Sequence, residues 1–481
     1  MKLQSAKRFL SLINIILLTG CEHILIENPS SNISSVNFYK NEADALSGLY
    51  GAYSQLYNIY NNSYIEYGEL NADNLKGSYV NTGNIFDMFS ISNESTASFW
   101  QNSFSGVNLA NEVIYYTDRI KAPADKKAII IAEARALRAI YYFNLVRAMG
   151  GVPIYKTPTL GFENINNPRS TQEEVYTLIV EDLKNAENVL PRSSIAGRIN
   201  SNIATALLAR IYLFRSDFKN AFASAKRIID SGKYKLFNDY TDAFKPDKKN
   251  GIEHIFQIQY LSGEQNSGIP GAFGPRSPAG PYNGTFWAKT SVSGNYEPEQ
   301  SFVNENPKSY RKSVTIANSY LDINGTGKVI TMNEVYKGKF PYYISKFDDR
   351  ASELQSGENF NVIRYADILL IAAESINEID PQNADKYKWI NQIRERARNG
   401  IKDDLPDLAN LSQDEFRTAV LSERRFELAF EGERAWDLKR RGLFLKTMRA
   451  QGAIIEDYML LFPIPNTQII LNPNLIQNPG W

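Results

Sequence analysis

One cysteine, Cys21, and two histidines, His23 and His254, are all that this 481-residue chain holds of the side chains most used for disulfides, zinc sites and thiol catalysis. A single thiol closes no disulfide within the chain, and two imidazoles exclude a multi-histidine metal centre. Net charge is missing as well: 53 Lys and Arg balance 53 Asp and Glu. That balance excludes the basic footprint of a nucleic-acid binder and of a protein drawn to anionic lipid. No Gly-rich phosphate loop, Ser nucleophile elbow or metal signature interrupts the chain, so no cofactor is expected. Only a carboxylate calcium site stays open.

What the chain does have begins at its first residues. Lys2, Lys7 and Arg8 form a positive n-region and Phe9 to Leu18 an apolar run. At roughly ten residues that run suits a secretory signal and is too short to span a bilayer. Leu18-Thr19-Gly20-Cys21 follows and resembles a bacterial lipobox, in which the cysteine sulfur carries diacylglycerol and becomes the mature N-terminus. Each buried acyl methylene contributes roughly 0.8 kcal/mol, so two or more chains would hold the protein at a membrane. The expectation is a signal over 1–20, a lipidated start and tether over 21–37, and a folded body over 38–481.

Within that body, helical periodicity covers about 41–60 and 98–119 and is clearest from Asp125, where Ile130, Ala134, Leu137, Tyr141 and Leu145 draw one apolar stripe. Gly150-Gly151 and Pro153 end it. Further helices are predicted over 171–190, 201–215 and 218–231. The last two have alanines at the contact positions and look like a tetratricopeptide-type hairpin. Helices over 364–379, 383–398 and 412–431 continue the stacking. Between the helical blocks, 38–232 and 362–481, lies a loop-rich insertion over 233–361. It starts with a strand-like stretch, 254–260, and holds a Gly/Pro-rich loop before Tyr282, Phe286, Trp287 and Tyr296. The fold class read from these patterns is mostly α, with helical hairpins, long loops and a few short strands.

The late block Glu423-Arg424-Arg425-Phe426-Glu427-Leu428-Ala429-Phe430-Glu431-Gly432-Glu433-Arg434-Ala435-Trp436-Asp437 resembles the SusD/RagB family of outer-membrane nutrient-binding lipoproteins. Ile363 to Leu370, Asn391 to Ala397, Phe462-Pro463-Ile464-Pro465 and the ending Asn478-Pro479-Gly480-Trp481 support the likeness, which runs over nearly the whole chain. Physically, the late block reads as architecture. Its charges are expected to pair at three- and four-residue spacing, Gly432 to allow a turn, and Arg434 to pair with Asp437. Glu427 and Glu431 lie on one face of one helix, which lacks the opposed geometry of glycoside hydrolysis.

The resemblance implies a single SusD-like domain that captures a glycan, or in RagB-type relatives a peptide. It implies delivery to a SusC-like TonB-dependent transporter and a place in the outer membrane, lipid-anchored through Cys21 and facing outward. The acidic run that often follows the lipidated cysteine is reduced here to Glu22. Competing readings are a helical-repeat adaptor without a small ligand and, less favoured, a hydrolase. A glycan platform needs aromatic planes beside amides. The family's two site regions map onto Asp73, Asn74, Trp100 and Asn102, and onto Tyr282, Asn283, Phe286, Trp287 and Tyr296. The expected ligand-binding set is Trp100, Asn102, Tyr282, Trp287 and Tyr296. Phe99, Trp100 and Phe104 at helical spacing also fit a core.

Overall fold

A computed structural model describes residues 35–61, 63–78, 89–161, 165–275, 294–322, 327–335, 341–349, 355–401 and 404–481. The signal, Cys21, Asn283, Phe286 and the site candidates Tyr282 and Trp287 lie outside these described residues. The first helical block comprises α1 (Glu42–Ile59), α2 (Ala97–Thr117), α3 (Ala124–Met149), α4 (Gln172–Val189), α5 (Ser201–Phe214) and α6 (Phe218–Asp230). The second comprises α7 (Tyr365–Ile379), α8 (Asp385–Arg398), α9 (Gln413–Glu427), α10 (Arg434–Arg440), α11 (Phe444–Ala450) and α12 (Asn466–Leu471). Side-chain caps set several starts: Asn41, Thr171 and Ser412 each close a capping box with an acidic residue three positions on.

The expected hairpin is present. Asn200 caps α5, Asp217 caps α6, and Ser216 turns between them at φ 58°. Ala204, Ala209, Ala221 and Ala225 are fully buried, which lets the two helices approach closely. Helix α6 then packs on α7, so the two helical blocks stack directly although the loop-rich insertion separates them in sequence. Among the described residues, the strands form four two-stranded antiparallel pairs. Two matter below: β1 (Leu75–Gly77) with β3 (Tyr296–Pro298), and β2 (His254–Ile258) with β8 (Phe360–Arg364).

Four expectations need correction. Helix α3 is not amphipathic: α1, α2 and α4 pack around it, and Glu133, Arg138, Asn144 and Arg147 are buried along with its apolar stripe. Two of these polar groups find ion-pair partners inside, Arg138 in Asp182 at 2.8 Å and Glu133 in Arg198 at 2.9 Å. Helix α9 stops at Glu427 instead of 431, because Phe430 and Gly432 take positive φ of 66° and 85°. The end of the expected tether is a helical turn, Ser35–Phe38, after which Tyr39 stacks on Tyr116 with centroids 5.0 Å apart.

Asp437 pairs along its own helix with Arg440 at 2.8 Å, but the other charges of the late block reach partners on distant segments. Glu427 receives Arg311 at 2.9 Å and Arg364 at 2.6 Å, and Glu431 receives Arg364 at 2.8 Å and Lys346 at 2.7 Å. Arg424 bridges Asp367 at 2.6 Å and Asp437 at 2.8 Å. Arg434 goes to Asp73 at 2.6 Å rather than to Asp437. All these groups are buried, so each charge needs its partner. The surrounding arginines hold the Glu427 carboxyl well below the usual range, and that of Asp367 down to about 2. The block thus clamps β8, the insertion and both helical blocks together.

Candidate ligand-binding site

Described residues Ser78, Asn295 and Ser356, which lie beside three stretches outside the described residues, are linked by hydrogen bonds to one corner of the molecule. Strand β1 ends beside β3, with Gly77 opposite Tyr296, and Ser78 donates its N–H to the Asn295 carbonyl at 2.8 Å. The chain beyond Ser78 is the segment 79–88. On the other side, Asn295 donates to Ala272 and Gly294 to Gly271, at 2.8 and 3.1 Å, which ties the entry to β3 onto the short helix Ile269–Phe273. The described flanks of 276–293, the segment carrying Tyr282 and Trp287, therefore meet. Ser267 also donates to the Ser356 carbonyl at 2.8 Å, bringing the flank of 350–354 close.

Tyr296 is the peg beneath this corner rather than part of a surface. Its ring is 3% exposed and packs on Phe273, with centroids 5.5 Å apart, and its hydroxyl donates to Glu66 at 3.2 Å. No broad face is left for a sugar. Burial and the Glu66 charge push its phenol far up. Asp73 and Asn74 are likewise turned inward. Asp73 accepts both guanidinium bonds of Arg434, and Asn74 donates to Glu69 at 3.2 Å while accepting from Arg425 at 2.9 Å. Their polar atoms hold the β1 corner onto the late block instead of facing a ligand.

Trp100 stands elsewhere. It is 4% exposed on α2, and its indole forms the inner wall of a cleft of about 390 Å³. Phe104, one turn on, lies 4.6 Å from it, and Tyr155 meets Phe104 edge-on at 5.9 Å. Helix α12 supplies the opposite wall through Gln468 and Leu471. Half-buried Asn102 does not line this cleft, and neither does Tyr296. The structure thus brings Trp100 together with Phe104, Tyr155 and Gln468 and separates it from Tyr296. Phe104 was visible as part of an aromatic run, but nothing local ties Tyr155 or Gln468 to it. Among the described residues, no three His, Cys, Asp or Glu side chains converge on a metal position.

Comparison with known proteins accounts for both halves of the chain. Residues 282–481 match the model described as "SusD family", and residues 26–213 match "Starch-binding associating with outer membrane". "SusD-like protein P38" of Formosa agariphila is 29% identical over 98% of this chain and 97% of its own length. A SusD homologue from Bacteroides thetaiotaomicron superposes with a TM-score of 0.81 over 94% of this chain and 99% of its own, at 24% identity. A structure titled "Laminarin binding SusD-like protein" superposes at 0.78 over 92% of this chain and all of its own, at 25% identity.

Proposed function

Because this chain belongs to the SusD/RagB family, we propose that it is a non-catalytic glycan-binding lipoprotein of the outer membrane. It holds oligosaccharides at the cell surface for uptake by a SusC-like TonB-dependent transporter. The observation that carries this reading is the convergence at the β1–β3 corner: Ser78, Asn295 and Ala272 are hydrogen-bonded neighbours. Ser78 directly precedes the segment 79–88, and Ala272 and Asn295 stand near the two described ends that flank the segment bearing Tyr282 and Trp287. Aromatic faces carried there on a rigid base stack on sugar rings, and neighbouring polar groups orient the hydroxyls. The match to a family model named for starch binding and the likeness to a laminarin-binding relative support a glucan as ligand.

A binding role, rather than hydrolysis, accords with the state of the carboxylates in the late block. Glu427 and Glu431 are sealed into ion pairs with Arg364, and neither is free to donate a proton to a glycosidic oxygen. Sugar hydroxyls exchange water for protein groups with little net gain, so affinity rests on the stacked aromatics. Tyr282→Ala with Trp287→Ala abolishes retention on immobilised laminarin or starch in affinity electrophoresis, with the unfolding midpoint unchanged. Full retention by the double variant removes both residues from the site.

A further inference from the structure

We infer that the cleft between α2, the strap after α3 and α12 is a second binding site, for an uncharged aromatic compound bearing hydroxyl or carbonyl groups. It is separate from the β1–β3 corner and does not depend on the glycan reading. Three observations select the ligand chemistry. None of the described lining residues is charged, although Asp, Glu, Lys and Arg make up 22% of the chain. A charged ligand entering the cleft would lose its hydration with no counter-charge to replace it. The interior is aromatic and preformed: Trp100 is held against Phe104 at 44°, and Tyr155 is fixed by its hydroxyl bond to the Ile165 carbonyl at 3.0 Å. The volume, about 390 Å³, lies in the range of small-molecule sites.

The polar groups sort into two sets. Asn111 is committed to Arg138 and to the carbonyls of Tyr155 and Thr157, and Asn108 to Glu112 and the Thr159 N–H. Asn472 is committed to Asn167 and Asn474. These amides hold the walls in place. The side chains of Gln468 and Asn166 make no hydrogen bond within the described protein and line the same cleft. Each presents a donor and an acceptor to a ligand whose ring lies against the half-buried Phe104 and Tyr155. Leu471 stands at the edge, 70% exposed, a hydrophobic lip that no described part of the chain covers.

The test uses the mature protein and two matched probes, methyl 4-hydroxybenzoate and 4-hydroxybenzoate, followed by saturation-transfer NMR and titration of Trp fluorescence. The ester binds saturably and the carboxylate at least tenfold more weakly. Leu471→Glu, a change at an exposed position, weakens the ester at least tenfold without moving the unfolding midpoint. Gln468→Leu weakens it several-fold. Tyr282→Ala/Trp287→Ala leaves ester binding intact, which separates this site from the glycan site. Absence of saturable ester binding, equal binding of the carboxylate, or indifference to Leu471→Glu each overturns the proposal. A concentration-dependent dimer that Leu471→Glu dissolves, found without ester binding, overturns it in favour of self-association.

Discussion

Replacing Lys439 by Met should stabilise the protein, and by an amount that depends on pH. Lys439 sits on α10 with its stem half-buried and its ammonium head sealed, and among the described residues Nζ has no hydrogen-bond partner. Rings surround the head, Phe462 at 4.6 Å, Phe444 at 4.8 Å and Trp436 at 5.1 Å. Burial, the single cause at work, lowers its pKa from 10.5 to about 7. Between pH 7 and 10.5 the unfolded chain holds a proton that the folded protein has released, so this group makes stability rise with pH across that window. Below pH 7 the full penalty remains. Keeping the ammonium charged in that surrounding costs about 4 kcal/mol at neutral pH. Attraction of the charge to the three rings returns about 1–2 kcal/mol. Lys439→Met is therefore expected to gain about 2–3 kcal/mol at pH 7 and less than about 1 kcal/mol at pH 10.5. Glu69 slopes the other way: burial raises its carboxyl to about 8, so its contribution falls between pH 4.5 and 8. For that reason the informative quantity is the difference between variant and parent, from urea unfolding at pH 6, 7, 8.5 and 10. A difference independent of pH, or a loss of stability at pH 7, refutes the reasoning.

Gly68→Ala places a methyl group inside contact distance of the Gly432 carbonyl, and neither backbone can yield without breaking the Glu69 bonds to Gly432 and Glu433. A loss of about 3 kcal/mol or more is expected in urea unfolding. Arg364→Met leaves Glu253, Glu427 and Glu431 short of a shared partner in the core. A loss of about 3–5 kcal/mol follows, and a neutral outcome would mean the network adds specificity without stability. Cys21→Ala is expected to release a folded, ligand-competent protein from the membrane fraction, with unchanged glycan retention; loss of folding would make the cysteine structural.

What the sequence made legible was whatever short-range physics decides. Periodic apolar residues and Gly and Pro stops placed the long helices within a few residues, and the alanines of α5 and α6 marked the hairpin. Helix α9 ran past its true end on paper because Leu428, Ala429 and Phe430 are good helix residues. The backbone breaks there for a tertiary reason, the fit of Gly432 against Gly68 and Tyr64. The ion pairs were misassigned for a similar cause. Arg311 and Glu427 lie 116 residues apart, and no spacing rule reaches that far. Arg434 and Asp437 are near neighbours in sequence, yet each is taken by a partner on another segment.

The same limit governs the site. Aromatic residues in a Gly/Pro-rich stretch read alike whether they stack on a ligand or on Phe273, and only the pairing of β1 with β3 turns Tyr296 inward. Asp73 and Asn74 have the chemistry of sugar ligands, but a buried late block rich in arginine draws them in as counter-groups, because an unpaired buried guanidinium is costlier than a lost surface contact. The polar residues nearest the corner are thereby spent on rigidity. Asp73, Asn74 and Tyr296 are tied to the core, so a change at any of them disturbs the clamp. Exchange of 276–293 for the corresponding segment of a relative should transfer glycan preference and leave the unfolding midpoint near that of the parent, as glycan arrays and urea unfolding would show; lost stability would mean the segment is part of the core.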